Sequence, residues 1–533
     1  MAFENSQSAA KPVPQSGAQR DPRKRPSANS LLRKICSFPV LMGALLVAVT
    51  AGNLFLGLKA AASDSQQSAR YCIFEGDTWW HVSVGEQILR THTWPTVDPY
   101  SFSASGEPWI ADEWLGEVAM AWSNLKGGLA GLTLLLVGFA AAIILLIYEY
   151  AYVKSRNPKA AFAACAAVLP LLIAFFDLRP QLLGYIFLLI TLISLESFRQ
   201  GRLKKLWFLP VVFLLWVNTH GTFALGLAIM ALYGVSGMVK TQVGGLRPKL
   251  WTAGERRHLG MVTLLSVLAA MITPYGTRLL VLPLRMALFQ PLTMASFQEW
   301  KPPGFDGALG KYFLLLLLFI LVLHFLTRME YRLEEAGLLL VAVYGACVHT
   351  RLLVFFAMIA AGVLAQVFAR YLPRFDPAKD KVFLNAALMA LIAFGCIKAF
   401  PSQAQLKKVA AHRFPAGAVA YLREHPPAGP MFDKSSWGGY LIHELGPRQK
   451  VFIDGRADLY EDAGVLRDYL SIMGLTPQTP FLLRKYQIDS CLLEPHTPLA
   501  VFLGHSPGWA RVYSDALSVV FVRRKEPPLK GHP

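Results

Sequence analysis

The chain is short of charge. Only 16% of its 533 residues are Asp, Glu, Lys or Arg, while 54% are hydrophobic; a soluble domain carries about 25% charged residues. What charge there is comes in bunches, with long stretches almost free of it between them. That distribution excludes a row of ordinary soluble domains. It points to a polytopic membrane protein, since each crossing of the hydrocarbon takes roughly 20 apolar residues. Acids are the scarcer sign, 34 against 52 Lys and Arg, for a net charge of +18. A nucleic-acid partner does not follow from this, because the basic residues recur in short clusters between apolar segments, as positive-inside topology requires. Cysteine is also sparse, and the six (Cys36, Cys72, Cys165, Cys347, Cys396, Cys491) show no metal-type spacing. Cys72 and Cys491 are expected on the same side of the membrane, where they are free to pair. There is no Walker motif, dinucleotide fingerprint, zinc signature or nucleophile elbow, and there are no heptads or short repeats.

What is present is a succession of apolar segments. They centre near 37–58, 128–150, 159–176, 181–197, 206–219, 221–239, 258–274, 311–327, 335–349, 351–369 and 383–400, which makes about 11 transmembrane helices. Residues 1–36 read as a disordered cytoplasmic tail, with seven Lys/Arg against two acids, and the first apolar segment reads as a signal anchor. The loops "VKSRNPK", "FRQGRLKK", "LRPKLWTAGERRH" and "LPRFDPAKDK" are basic and fall inside. Residues 64–113 hold eight acids against two Lys/Arg and fall outside. This places a transmembrane domain at 37–400, with an outer loop at 59–116 that carries interfacial helices. Trp80, Val84 and Ile88 follow i, i+4, i+8 spacing there, and Trp79 and Trp80 suit the headgroup layer. Residues 401–533 change character. Strand-like runs ("KVFIDGR", "IDSCLLE", "ARVYSD", "LSVVFVRR") alternate with helical ones ("AGAVAYLREH", "AGVLRDYLSIM", "PFLLRKY"). They predict a small α/β domain on the outer side, periplasmic in an inner-membrane protein.

On this topology the unusual polar residues collect on the outer side. The first outer loop has Asp77, His81, Asp112 and Glu113. "DLRPQ" supplies Asp177, Arg179 and Gln181, and "NTHG" supplies Asn218 and His220. "TPYGTR" and "QEW" supply Tyr275, Arg278 and Glu299, and "HTR" supplies His349 and Arg351. Ionisable groups at membrane depth are costly and usually face a pathway or cavity. Arg179, Arg351 and Arg278 have the fork geometry that holds a phosphate, and His220 and His349 can donate to it. Asp77, Asp112 and Glu113 can accept a proton from an attacking group or organise it, or hold Mg or Mn. Plainer roles stand beside these. Asp77 and Asp112 are good N-caps, the arginines can snorkel, and the histidines can bond helix-end carbonyls. "IDGRADLY" (Asp454, Gly455, Arg456, Asp458) is open to two readings, a substrate contact or a strand and Gly turn stapled by an Asp–Arg pair, and "WGGY" reads as a tight turn or a close helix contact.

The stretch "GDTWWHVSVGEQIL…WPTVDPYSFSASGEPWIADEWLGE" resembles the first outer loop of a group of bacterial polytopic proteins. That group is similar to GT-C-type glycosyltransferases, a superfamily that includes protein mannosyltransferases and lipid A aminoarabinose transferases. "RPQLLGY", "WVNTHGTFALG", "TPYGTRLL", "EWKPP" and "WGGYLI…KVFIDGRADLY" carry the same likeness, over roughly 37–525. The resemblance implies a polyprenyl-phosphate sugar donor, an acceptor not named by the sequence, and a carboxylate of the first outer loop working beside that acceptor. Asp77 matches that carboxylate by position, and Asp112 and Glu113 match the acidic pair at the loop's end. "DTWWH" departs from the Asp-Glu start of better-known members. Two other classes share the apolar pattern, a transporter or flippase of a lipid-linked substrate and a non-catalytic envelope assembly protein. No internal repeat favours the former.

Overall fold

The computed structural model describes residues 28–64, 74–240 and 242–524. Most of them are helical. In chain order the helices are α1 (Ala28–Ile35), α2 (Phe38–Ser63), α3 (Gly76–Thr91), α4 (Trp114–Ser155), α5 (Pro158–Ile173), α6 (Gln181–Arg199), α7 (Leu209–Val217), α8 (Phe223–Ser236), α9 (Ala253–Ala269), α10 (Thr277–Phe289), α11 (Pro291–Ser296), α12 (Ala308–Thr327), α13 (Leu333–Val348), α14 (Leu353–Tyr371) and α15 (Val382–Ala399). Each apolar segment of the sequence coincides with one of these helices. Six of them are long and apolar enough to cross a membrane by length and composition, while α5 and α8 are apolar but shorter. The basic tail expected at 1–36 lies outside the described residues up to position 27, and α1 is helical beyond it.

Residue size and burial set the packing order. In α14 the run from Leu353 to Ala365 is buried on every face, so this helix is the axis around which α4, α5, α12 and α13 pack. Helix α15 is the opposite case, with Asn385 its one buried residue, so its apolar surface faces outward. Helix α4 is bent at Gly128, whose φ of 54° is open to glycine and strained for other residues.

The sequence predicts basic but plain loops at the end of the bundle away from the polar clusters, and the structure corrects this. Arg199 pairs with Glu334 at 2.6 Å, both fully buried. Arg332 reaches Glu196 and Glu335 at 2.7 Å each, and Lys154 pairs with Glu335 and Glu196. The charges are nearly balanced, and they tie the ends of α4 and α6 to the start of α13. A buried charge persists where partners of this kind satisfy it.

Beyond α15 come α16 (Gln403–Arg413), α17 (Ala416–Glu424), β1 (Met431–Asp433), α18 (Ser435–Leu445), α19 (Ala457–Asp462), α20 (Val465–Met473), α21 (Thr479–Lys485), β2 (Ser490–Leu493), α22 (Pro498–His505), β3 (Trp509–Ser514) and β4 (Val519–Arg523). The four strands lie in the order β1-β2-β4-β3, with β1 and β2 parallel and the other pairs antiparallel. Three of the expected strands are present. "KVFIDGR" is not one of them: it makes a single bridge, Ser101 to Val451, to the first outer loop. Its place beside β2 is taken by β1. Cys491 is buried in β2, and Cys72, expected on the same side of the membrane, lies outside the described residues.

This domain clamps onto α3. A Cβ on Gly439 would stand 2.0 Å from the Gly76 carbonyl oxygen, and one on Gly76 would stand 2.3 Å from that of Ser436. The glycines of "WGGY" therefore make a close helix contact. Arg456 is the latch. It bonds Asp454 at 2.6 Å within the domain and Asp98 of the first outer loop at 2.7 Å, and it lies over the Trp109 ring at 4.6 Å. All three charged side chains are buried. Replacing Arg456 with Met strands two buried carboxylates, at a cost of about 3–5 kcal/mol. The expected result is a clearly lower melting temperature in detergent and faster proteolysis of the C-terminal domain; an unchanged melt would refute the latch.

Candidate active site

Helix α3 begins beside the bundle end. Its N-cap is Glu75, and Thr78 receives the Glu75 N–H at 3.2 Å. Asp77 is therefore inside the first turn and not a cap, and Asp112 is likewise not one, since Glu113 holds the N-cap position of α4. Asp77 instead accepts from Trp80 Nε1 at 3.2 Å through Oδ1, while Oδ2 lies 3.2 Å from Arg179 Nη1. The helix N-terminus adds partial positive charge behind this carboxylate. Thr78 donates to the Leu178 carbonyl at 3.0 Å, which fixes α3 against the turn carrying Arg179.

Arg179 is ringed by carboxylates. Asp177 lies 2.7 Å from its Nε, Glu299 lies 3.6 Å from Nη1, and Glu75 pairs with Nη2. Glu299 then leads to Arg351, 3.5 Å away. The Arg351 guanidinium sits 4.3 Å over the Trp300 ring, a cation–π arrangement. His349 meets the Trp300 carbonyl at 2.6 Å and so braces that platform. Arg179 faces four carboxylates, whereas Arg351 makes one long ion pair. Burial raises the Asp177 carboxyl to about 6, against the pull of Arg179.

A second group adjoins this row. Glu113 lies 3.5 Å from His81 Nε2 and 3.3 Å from His220 Nε2. The Thr222 N–H donates to His220 Nδ1 at 3.1 Å, which puts the imidazole proton on Nε2, toward Glu113. His81 also meets Glu117 at 3.1 Å. Contact is possible because α3 crosses α4 at Gly85, where a Cβ would be 2.1 Å from the Glu117 carbonyl. Burial, then the fields of Arg351 and Arg179, lower His220 to about 3. Burial, then Arg179, also holds His81 well below the usual imidazole range. Both rings are neutral at physiological pH. Glu113 is pushed well above the carboxylate range by burial, then by Asp112 and Glu117, against the pull of Arg351 and Arg179. Asp112 is raised to about 7 by burial and by Asp458 of the C-terminal domain. That domain closes over the site, since a Cβ on Gly455 would fall 1.7 Å from Asp77 Oδ1.

The remaining sequence candidates have other work. Asn218 accepts from Trp114 Nε1 at 2.7 Å and donates to the Leu214 and Ile272 carbonyls. Tyr275 receives the Ala111 N–H at 3.0 Å and donates to the Pro95 carbonyl at 2.9 Å. Both hold the outer loop in place. Gln181 is buried at the start of α6. Arg278 is exposed and makes no ion pair among the described residues. Sequence reasoning missed Glu75 and Glu117. Glu117 carried a usable signal, since it lies four residues from Glu113 on one helix face.

For a divalent cation the donor set does not fit. Among the described residues no three His, Cys, Asp or Glu side chains are grouped as a metal centre needs. The carboxylates around Asp77 converge on a guanidinium that fills the place a cation would take.

No family model matches the chain, and no curated protein matches it by sequence. Among solved structures, archaeal oligosaccharyltransferase AglB from Archaeoglobus fulgidus, in complex with an inhibitory peptide and a dolichol-phosphate, aligns with 91% of this chain and 75% of its own. The TM-score is 0.52 at 12% identity. The fold of the chain is similar to that of this archaeal oligosaccharyltransferase. The same archaeal enzyme tethered to an acceptor peptide containing the NVT sequon aligns over the same shares, at 13% identity and a TM-score of 0.50. The oligosaccharyltransferase likeness spans the helical bundle and the C-terminal domain together, and it agrees with the GT-C resemblance of the sequence.

Asp112 yields a test with a definite sign. Its folded-state pKa is raised, so between about pH 4 and pH 7 the folded state binds more protons than the unfolded one, and stability from this group falls as pH rises. Asp112→Asn removes the term. The unfolding free energy of the variant minus that of the wild type is expected to grow from pH 5 to about pH 7 and then level off, by at most about 1.4 kcal/mol per pH unit. A constant difference would contradict the burial of this carboxyl.

Proposed function

We propose that this protein is an integral membrane glycosyltransferase. It moves a sugar from a polyprenyl-phosphate-linked donor to an acceptor (lipid, glycan or protein) at the periplasmic face of the inner membrane. The N-terminus is cytoplasmic, eleven helices cross, and the C-terminal domain lies outside over the site. The observation that carries the reading is the row Asp77–Arg179–Glu299–Arg351, each member within 3.6 Å of the next. It lies at the bundle end of an oligosaccharyltransferase-like fold, beneath the C-terminal domain. It joins the two groups a sugar-phosphate transfer needs, an acceptor of protons and an anchor for the leaving phosphate.

In this reading Arg351 takes the donor's phosphate, because its fork is the less committed of the two guanidinium groups. Arg179 holds Asp77 in place and shares the field. Asp77 accepts a hydrogen bond from the acceptor's O–H or N–H. The acceptor atom bonds to the anomeric carbon, and the bond from that carbon to the phosphate oxygen breaks. The electron pair leaves with the polyprenyl phosphate, beside Arg351. The acceptor's proton passes to Asp77, the carboxylate that already accepts its hydrogen bond. Neutral His81 and His220 keep Glu113 oriented without supplying a competing cation. Tight placement of reacting groups supplies much of the rate in such transfers. No step is routed through a divalent cation.

Mass spectrometry of the full chain purified in mild detergent tests this. A polyprenyl phosphate or its sugar conjugate is expected to co-purify, and Arg351→Ala should reduce it about tenfold or more, the loss of one charge-assisted pair. Arg179→Ala should instead lower the melting temperature, since it strands the surrounding carboxylates. Repeated preparations without any such lipid would contradict the reading.

A further inference from the structure

On the other side of α3 lies a second hollow. Trp79 is about 200° around the helix from Asp77, so it faces away from the site. It lines a pocket of about 560 Å³ shared by the bend of α4 at Gly127–Gly128, by α16 and by α18. Trp79 is buried, yet its indole N–H has no acceptor in the protein. A buried donor without a partner costs free energy unless something else supplies an acceptor. The aromatic floor is rigid: Trp79 packs edge-on to Tyr440 at 5.6 Å and against His443 at 5.1 Å. Lys407 stands at the rim, exposed and in no ion pair among the described residues. The one carboxylate of the lining, Glu444, is consumed by Arg423. The pocket therefore offers an unspent cation and an unspent N–H, and no free anion.

Its position decides the ligand. The bend at Gly128 is where the apolar run of α4 begins, and α16 follows directly on the end of α15, whose surface is outward-facing and apolar. Helix α16 buries Leu406 and Val409 and carries Lys407, Lys408 and Arg413 with no acid. Leu406 and Val409 pack inside the protein, where α16 meets α2 and α4, while Lys407 and Lys408 stay exposed, a charge pattern that attracts anionic headgroups.

We propose that this pocket binds the phosphodiester headgroup of an anionic phospholipid. The indole N–H of Trp79 and the ammonium of Lys407 meet the phosphate oxygens, and the acyl chains run down beside α4 and α15. The site is separate from the transferase row and does not depend on that row's function.

Native mass spectrometry of the full chain tests it, by titration with phosphatidylglycerol, phosphatidylcholine or inorganic phosphate. Phosphatidylglycerol is expected to remain bound at about tenfold lower concentration than phosphatidylcholine. Lys407→Glu, at an exposed position, should abolish that preference, and Trp79→Phe, which keeps the ring and removes the N–H, should weaken it severalfold. Polyprenyl phosphate retention should be unchanged in Lys407→Glu, which separates this site from the transferase reading. Equal retention of the two lipids would overturn the proposal, as would wild-type selectivity in both variants. Displacement of the lipid by millimolar inorganic phosphate would overturn the assignment to a lipid.

Discussion

A guanidinium surrounded by acid organises this end of the molecule. Arg179 contacts Glu75 and Asp77 on α3, Asp177 on its own turn and Glu299 on the segment before α12. Three separate parts of the chain are thereby fixed around one cation. The arrangement cannot be relieved by removing Arg179 alone, because the carboxylates left behind would repel one another at low dielectric. The same cation holds Asp77 by one oxygen while Trp80 holds the other, so the carboxylate has a fixed direction. Arg351, across Glu299, remains the group with donors to spare.

Close backbone approach is the second constraint, and glycine permits it. Gly76, Gly439 and Gly455 let the C-terminal domain sit directly on the first turn of α3, and Gly85 lets α3 cross α4 so that His81 reaches Glu113 and Glu117. The buried Arg456 between Asp98 and Asp454 fixes the domain at a second point. The lid over the site is thus built into the fold, and its Asp458 adds to the burial that raises the Asp112 carboxyl.

Much of this was legible in the residues. Apolar runs fixed the positions of the bundle helices, since helix formation in a long apolar stretch depends on local composition. "RPQ", "HTR" and "QEW" were identified as unusual, and the structure brings Arg179, Arg351 and Glu299 together with Asp77. Which partner each would take was not legible, because Glu75 and Arg179 are 104 residues apart and meet through tertiary packing. Asn218 and Tyr275 looked like site residues because polar groups at helix ends look alike in sequence. Their bonds to Trp114 and to the Ala111 amide show them holding the outer loop. "KVFIDGR" has strand composition, but a single bridge to the outer loop replaces pairing, and the short run at Met431 takes the parallel position beside β2. The ion network of Lys154, Glu196, Arg199 and Arg332 was hidden because basic loop residues are expected to face water.

The central claim is that a carboxylate oriented by a guanidinium works beside a lipid-linked sugar. The most direct measurement is sugar transfer by the Asp77→Asn variant in membranes, read together with its bound lipid. Asparagine keeps the size and the Trp80 contact and removes the charge. The account predicts that transfer falls by at least about a hundredfold, as for loss of an acid–base group, while the polyprenyl phosphate lipid is still retained. Full transfer by the variant would contradict it.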